Sequence, residues 1–274
     1  MNTRPGRLEK LLGIDDAIVL GPFGGVSSVS LTAAISECGG LGSYGLYGYQ
    51  PERIAQTIHD IRTETSRPFA VNLWLPTGDE VTPGDIDLAP YTRALAPLFA
   101  SAGHRVSFLR APEDSLVGLL ALVPQAVDAV SVPVIAAGGI ADRRGVSAAF
   151  ALGADGVQVG TAFLRTRQSG ASDACRRAIG TVGEVGTVLT RATSGRLSRG
   201  IANDAVTAIE AAETIAPFPA QIWLTGQFRT EAARVGRSDL LSLWAGQSAP
   251  LTSTRDAHEV YQELRAGLGS AAGA

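Results

Sequence analysis

The residues best suited to chemistry lie in Pro133–Leu164, with the sequence PVIAAGGIADRRGVSAAFALGADGVQVGTAFL. An apolar run predicts a short buried strand at Val134–Ala136, and the turn Gly138–Gly139 follows it. A second short strand is predicted at Gly156–Val159, ending in Gly160–Thr161. Glycine lets the backbone approach a ligand closely, and free N–H groups at strand ends and helix starts favour an anion. The spacing therefore predicts a site for a phosphate group, carried by a cofactor or a substrate.

Other chemistry-bearing residue types give weaker signals. The three histidines are His59, His104 and His258, and no His, Cys, Asp or Glu cluster has metal-ligand spacing, so no metal site is predicted. The chain has no Gly-x-Ser-x-Gly turn, which disfavours a serine hydrolase. Arg196 and Arg199 could reach a phosphate or an acidic substrate, although pairing on a helix surface is favoured.

Composition excludes several classes of protein. The chain has 274 residues, 45% hydrophobic and 18% charged, with a formal net charge of -3 and no block of Lys or Arg. Nucleic-acid binding is disfavoured, because it relies on clustered positive charge. No segment reaches the ~18 apolar residues of a membrane helix, and the first residues lack the apolar core of a signal peptide, so a cytoplasmic location is expected. Cys38 and Cys175 are expected to be reduced, with Cys38 a packing residue.

The phosphate site requires strands whose ends meet at one edge of a sheet. Alternating apolar and amphipathic runs predict parallel strands separated by helices. The strands are predicted at Ala17–Leu20, Gly39–Tyr44, Phe69–Leu73, Val134–Ala136 and Gly156–Val159. A candidate sixth strand is His104–Leu109. The intervening helices are predicted at Ser28–Cys38, Pro51–Thr65, Tyr91–Ala100 and Leu116–Val130. A closed barrel of this type has eight strands. The predicted fold is therefore an α/β TIM-type (β/α) barrel that is incomplete, with five or six parallel strands and a C-terminal helical extension.

Two domains are predicted. Residues 1–165 form the barrel portion with the site. Residues 166–274 form a C-terminal hairpin, predicted at Thr181–Thr193, and a helical segment that completes or covers the barrel, including a helix at Ala257–Leu268.

Several sequence blocks occur together along most of the chain: GPFGGVSSVSLTAAISECGGLGSYG, RPFAVNLW, AGHRVSFL, LALVPQAVDAVSVPVIAAGGIADRRGV, LGADGVQVGTAFL, SGRLSRGI and DLLSLWAGQ. With these blocks the chain resembles the nitronate monooxygenase family, formerly called 2-nitropropane dioxygenases. The resemblance implies an FMN enzyme on a TIM-type barrel. It also implies the oxidation of alkyl nitronates or nitroalkanes by molecular oxygen to a carbonyl compound and nitrite.

The resemblance also implies roles for individual residues. His104 would be the catalytic base, and Asn72 would hydrogen-bond the flavin. The phosphate would be held by Gly138, Gly139, Gly160 and Thr161. The full implied cofactor-binding set is Pro22, Phe23, Gly24, Asn72, Gly103, Ala137, Gly138, Gly139, Gln158, Val159, Gly160 and Thr161. Family members usually carry Met at the position of Phe23, a change that alters pocket shape more than chemistry.

The chain departs from the family near Ala100–Gly103. In the family, three strands and their helices lie between the third strand and a Gly-Gly-His motif. Here LAPLFA runs almost directly into SAGHRVSFL, and Ala102 replaces the first glycine. About ninety residues are therefore missing, at about thirty per βα unit.

A gap of this size would leave two sheet edges with unpaired N–H and C=O groups. The remaining strands could close as a smaller barrel, stay open as a twisted half-sheet, or pair with a second chain. A fourth possibility is a defective product that folds poorly. An open or imperfect barrel that needs a partner chain is favoured, so a homo-oligomer is expected.

Two alternatives to nitronate oxidation stay open. One is a related FMN barrel such as an enoyl-thioester reductase. The other is a catalytically impaired protein that binds FMN or another phosphate ligand. In each case the expected partners are small molecules, and the oxidation reaction also uses oxygen. Neither nucleic acid nor a membrane is an expected partner.

Overall fold

The chain divides into two compact units. A computed structural model describes residues 6–73, 90, 118–253 and 255–268. The first unit contains Met1–Trp74, Val117–Ala171 and Gly246–Ala274, and the second contains Leu75–Leu116 and Ser172–Ala245. The domain boundary predicted at residue 165 is a functional division and stays a prediction.

Five short parallel strands lie in the first unit, three in one sheet and two in another, and an isolated bridge joins the two sheets. They are β1 (Ile18–Leu20), β2 (Gly42–Gly45), β3 (Phe69–Asn72), β4 (Ile135–Ala137) and β5 (Gly156–Val159). Val19 lies opposite Gln158 of β5 on one side and bridges to Leu41, just before β2, on the other. The Leu20 N–H donates to the Leu41 carbonyl and the Leu41 N–H to the Ile18 carbonyl, each at 2.9 Å. The strand order is thus β4-β5-β1-β2-β3, which confirms the predicted α/β class with parallel strands.

Helices connect these strands and bury one face of the sheet. They are α1 (Arg7–Leu12), α2 (Val29–Glu37), α3 (Pro51–Glu64), α4 (Leu119–Ala129), α5 (Arg143–Ala151) and α6 (Thr161–Leu164). The Ser28 hydroxyl caps α2 by accepting a hydrogen bond from the Leu31 N–H at 3.1 Å. Leu31 and Ile35 then pack with Ile18 of β1 in one fully buried apolar cluster. This packing fixes the end of β1, where the predicted site begins.

The second unit combines a hairpin with helices. Its described elements are α7 (Asp173–Thr181), β6 (Thr187–Thr190), β7 (Ser198–Ile201), α8 (Asp204–Ala211) and α9 (Ala220–Arg234). β6 and β7 are antiparallel, with Thr187 opposite Ile201. Its core packs Ile209 of α8 against Leu224 and Phe228 of α9.

The last helix, α10 (Ala257–Arg265), belongs to the first unit and packs on α2, α5 and α6. Tyr261 is fully buried, and its hydroxyl donates to the Asp16 carboxylate at 2.9 Å. Arg265 reaches the same carboxylate at 2.8 Å. The carboxylate just before β1 therefore anchors the C-terminal helix.

Several predicted elements differ from the structure by one to three residues at an end; the last helix, for example, ends at Arg265 rather than Leu268. The second strand begins at Gly42 rather than Gly39, because Gly39 adopts a left-handed φ of 105° where α2 ends. The hairpin predicted at Thr181–Thr193 is wrong in its second strand, which is Ser198–Ile201. The predicted helix at 91–100 and the candidate strand at 104–109 lie outside the described residues.

Candidate functional site

The carboxyl ends of the five strands lie at one edge of the sheet, because all of them are parallel. The structure brings to this edge the predicted site residues Pro22, Phe23, Gly24, Asn72, Ala137, Gly138, Gly139, Gln158, Val159, Gly160 and Thr161. The two others, Gly103 and His104, lie outside the described residues. We call Gly138, Gly139, Gly160 and Thr161 the strand-end cradle.

The glycines of the cradle present free backbone donors. Gly138 and Gly139 are exposed and have left-handed φ angles of 109° and 69°. A Cβ atom on either would meet nothing within 4 Å, so the space around them is open. In the described part of the chain, no group accepts a hydrogen bond from the N–H of Gly138, Gly139 or Gly160. Backbone N–H groups are normally paired with a hydrogen-bond acceptor. These free donors are therefore suited to bind the oxygen atoms of a phosphate.

An aromatic ring lies beside the cradle. The Gly21 N–H donates to the Val159 carbonyl at 2.9 Å, which joins the end of β1 to the end of β5. A Cβ atom on Gly160 would lie 3.5 Å from Cε1 of Phe23, and one on Gly21 would lie 3.3 Å from the Gly160 Cα. The half-buried Phe23 ring therefore offers an apolar surface next to Gly160 of the cradle.

Ser27 fixes the turn that carries Phe23. Its hydroxyl donates to the Phe23 carbonyl at 2.8 Å and accepts from the Phe23 N–H at 3.2 Å. The same oxygen lies 3.0 Å from the Gly45 N–H at the end of β2. Sequence reasoning missed both Ser27 and Gly45, because their contact joins two strand ends that are separated in the sequence.

Two amide side chains reach this region without an internal partner. Asn72 ends β3, and its carbonyl accepts from the Leu46 N–H at 3.0 Å. Its side-chain amide and that of Gln158 in β5 make no hydrogen bond to any described residue. Both side chains are half-buried, so each amide can bind a polar group of a ligand.

The helix starts contribute less to the cradle than the sequence suggests. The Asp142 carboxylate caps α5 by accepting from the N–H groups of Arg144 at 2.9 Å and Gly145 at 3.4 Å. The hydrogen bond from the Arg144 side chain, followed by these backbone bonds, holds the pKa of Asp142 below its usual range. The helix after Gly160 is only four residues long. An anion at the cradle would therefore depend on the glycine N–H groups.

The remaining candidates lie elsewhere. Arg199 is on β7, where its guanidinium donates to the Thr187 carbonyl at 3.2 Å, so the expected pairing on a helix surface is wrong for this residue. The Arg196 guanidinium lies 4.4 Å from the centre of the Phe218 ring. Cys38 Sγ is 3.3 Å from Nδ1 of the exposed His258, and burial, followed by nearby carboxylates, raises the pKa of the Cys38 thiol.

Within residues 6–73, 90, 118–253 and 255–268, no three His, Cys, Asp or Glu side chains are grouped so that they could hold a metal ion. Over the same residues, no helix has the length and apolar character needed to cross a membrane.

In the described residues, parallel strands of an α/β sheet end in glycine N–H groups without an acceptor, beside an apolar turn, and this arrangement suits a phosphate group at the carboxyl edge of the sheet. The family model for nitronate monooxygenase matches residues 6–95 and 99–267. The chain therefore belongs to the nitronate monooxygenase family and is an enzyme of that family.

Individual relatives agree with this assignment. A probable nitronate monooxygenase of Staphylococcus aureus (strain Newman) is 32% identical over 340 aligned positions, covering 94% of this chain and 96% of the relative. Because 340 positions exceed the 274 residues of the chain, the alignment includes gaps in this chain.

Two solved structures are similar in fold. Nitroalkane oxidase from Streptomyces ansochromogenes has a TM-score of 0.83 and 26% identity, with 96% of this chain and 98% of that chain covered. FabK from Thermotoga maritima has a TM-score of 0.75 and 26% identity, with 98% and 97% covered.

Proposed function

We propose that the chain catalyses the FMN-dependent oxidation of alkyl nitronates by molecular oxygen to a carbonyl compound and nitrite. The observation that carries this proposal is the pair of neighbouring strand ends, after β4 and β5, that present unpaired glycine N–H groups. Family membership supplies the reaction class.

The residues at this edge fit FMN. The N–H groups of Gly138, Gly139 and Gly160 would hold its phosphate. The Thr161 oxygen accepts from the Gly246 N–H at 2.8 Å, so its hydroxyl proton remains available to a phosphate oxygen. The Phe23 ring offers an apolar surface for the ring system.

The redox chemistry belongs to the bound FMN. The chain orients the ligands, with the Asn72 and Gln158 amides as polar contacts and the Phe23 turn excluding water. His104 is proposed to take the α-proton of a neutral nitroalkane, which is acidic because the nitro group accepts the charge. An imidazole with a pKa of ~6.5 suits this transfer near neutral pH.

We further propose that the chain lacks a central part of the barrel wall. The family match is interrupted between residues 95 and 99, and the alignment with the Staphylococcus aureus relative contains gaps in this chain. In the described sheet, β3 and β4 are the two ends of the strand order. We expect a second copy of the chain to cover these edges. A cytoplasmic location stays a prediction of the sequence.

Oxygen uptake and nitrite release test the activity. Purified enzyme loaded with FMN is given a preformed alkyl nitronate or the neutral nitroalkane. We expect both substrates to be consumed by the wild type. His104→Ala should lose turnover of the neutral nitroalkane and keep more of its turnover of the nitronate, while His59→Ala, an exposed histidine on α3, should lose neither.

Other outcomes favour the alternatives. Unchanged turnover of the neutral nitroalkane by His104→Ala would refute the role as base. Oxidation of NADH with an enoyl thioester, without oxygen uptake on nitronate, would indicate the reductase. A yellow protein inactive in both assays would indicate an impaired FMN-binding protein.

A further inference from the structure

Arg165 lies four residues after Thr161 of the strand-end cradle. It follows α6, and its N–H donates to the Thr161 carbonyl at 3.3 Å. Its guanidinium Nη1 donates to the Thr252 carbonyl and lies 3.3 Å from the Thr252 hydroxyl. The side chain therefore joins the cradle to the C-terminal part of the first unit.

A second hydrogen bond joins the same two parts. The Gly246 N–H donates to the Thr161 hydroxyl at 2.8 Å. Gly246 and Thr252 both belong to the C-terminal segment that continues into α10. Thr161 is thus held directly by Gly246 and, through Arg165, by Thr252. Neither contact uses the glycine donors of the cradle.

Among the described residues, Arg165 has no ion-pair partner. No carboxylate of the described residues lies within ion-pair distance of its guanidinium, and its Nε is buried without a hydrogen-bond partner. Arg167, two residues later, differs because its guanidinium forms an ion pair with Asp256. A positive charge without a partner, in a partly desolvated position, interacts favourably with a nearby dianion.

We propose that Arg165 is a positioning residue for the phosphate end of the cofactor site. It holds the Thr161 turn against the C-terminal segment and supplies a positive charge that favours a bound phosphate. This inference rests on the proposed binding of FMN. It predicts that Arg165 distinguishes FMN from riboflavin, which has the same ring system but no phosphate.

The test compares the affinities of the full chain for FMN and riboflavin, measured by quenching of flavin fluorescence. Arg165→Met should weaken FMN binding about tenfold, as expected for the loss of one charge interaction, and leave riboflavin binding nearly unchanged. Arg165→Lys should restore most of the affinity for FMN. Arg167→Met is the matched control and should leave both affinities unchanged, because the charge of Arg167 is already paired with Asp256.

Arg165→Gln keeps a donor for the Thr252 carbonyl but removes the charge. This variant replaces Arg165→Met in the comparison if the Met variant does not fold. It should lose most of the preference for FMN over riboflavin while keeping the thermal midpoint of the wild type. Equal weakening of both ligands, or no weakening of either, would overturn the role of Arg165 and leave the proposed function intact. A wild type that binds neither flavin would overturn the proposed function and this inference with it.

Discussion

At the strand ends, glycine serves two different purposes. Gly138 and Gly139 are needed for their backbone angles, since both adopt the left-handed region in open space. Gly45 is needed for its small size, because a Cβ there would lie 2.8 Å from the Phe23 carbonyl oxygen. A substitution therefore affects the two groups through different mechanisms, strain in one case and steric overlap in the other.

Gly139→Ala tests the first purpose. The alanine has free space but must adopt a left-handed conformation, at a cost of about 1 to 2 kcal/mol. We expect a small loss of stability in urea unfolding and weaker binding of FMN in fluorescence titration, because relaxation of the turn redirects its N–H groups. Gly183→Ala is the control, since its Cβ meets nothing within 4 Å and its φ is not left-handed. Unchanged FMN affinity in Gly139→Ala would argue against the cradle.

Gly45→Ala tests the second purpose. Its methyl group would overlap the Phe23 carbonyl oxygen. Only a shift of the neighbouring backbone can relieve this overlap. We expect the free energy of unfolding to fall by about 1 to 3 kcal/mol, the usual cost of overpacking. A value within 0.5 kcal/mol of the wild type, about the size of an ordinary surface effect, would contradict the close approach of β2 to the Phe23 turn.

The sequence could predict the cradle because its glycines lie in strong strand-to-turn patterns. It could not predict Ser27, whose role depends on two contacts from different strand ends, Phe23 and Gly45. Such a role follows from the spatial meeting of β1 and β2, which residue type alone does not specify.

At the scale of elements, α10 is anchored by one buried hydroxyl. Tyr261→Phe removes the donor to Asp16 and leaves that buried carboxylate with Arg265 as its remaining side-chain partner. We expect a loss of about 1 to 3 kcal/mol in urea unfolding, the cost of a buried polar group left short of a hydrogen bond. An unchanged unfolding midpoint would show that the hydroxyl does not anchor the helix.

The cap of α5 gives a pH dependence with a defined sign. The pKa of Asp142 is lowered in the folded chain, chiefly by the Arg144 side chain. Its stabilising effect is therefore complete above the ordinary Asp pKa of about 4 and is lost as the pH falls through the lower folded value. Asp142→Asn keeps a capping side chain but cannot ionise, so its thermal midpoint should lie below that of the wild type at pH 7. The difference should shrink in acid; a constant difference would contradict this assignment.

Element positions followed closely from apolar periodicity where helices and strands pack in one core. The strand at Gly156–Val159 has the predicted bounds, and helix α3 differs only at its last residue. The second hairpin strand, SRGI, was missed because it has two polar residues and a glycine. Gly200 leaves room there, since a Cβ would lie only 3.0 Å from the Leu243 carbonyl oxygen, a close approach that no local pattern reveals.

At the scale of the whole molecule, the five parallel strands predicted from sequence are all present in the described residues, and the order β4-β5-β1-β2-β3 places β5 between β4 and β1. The family assignment required motifs spread along the chain, because the strand pattern alone is shared by many barrels. The sequence could not show whether a second chain pairs with the edge strands. The edge of a sheet shows where backbone hydrogen bonds are needed, but not which chain makes them.

Uptake of FMN by the purified full chain, followed by its visible absorption spectrum with the mass measured by size-exclusion chromatography in the same run, tests the central claim most directly. We expect flavin bands that elute with the protein at close to one FMN per chain, because the donors of Gly138, Gly139 and Gly160 are in place. A colourless protein that takes up no added FMN would refute FMN binding and, with it, the proposed oxidation of nitronates.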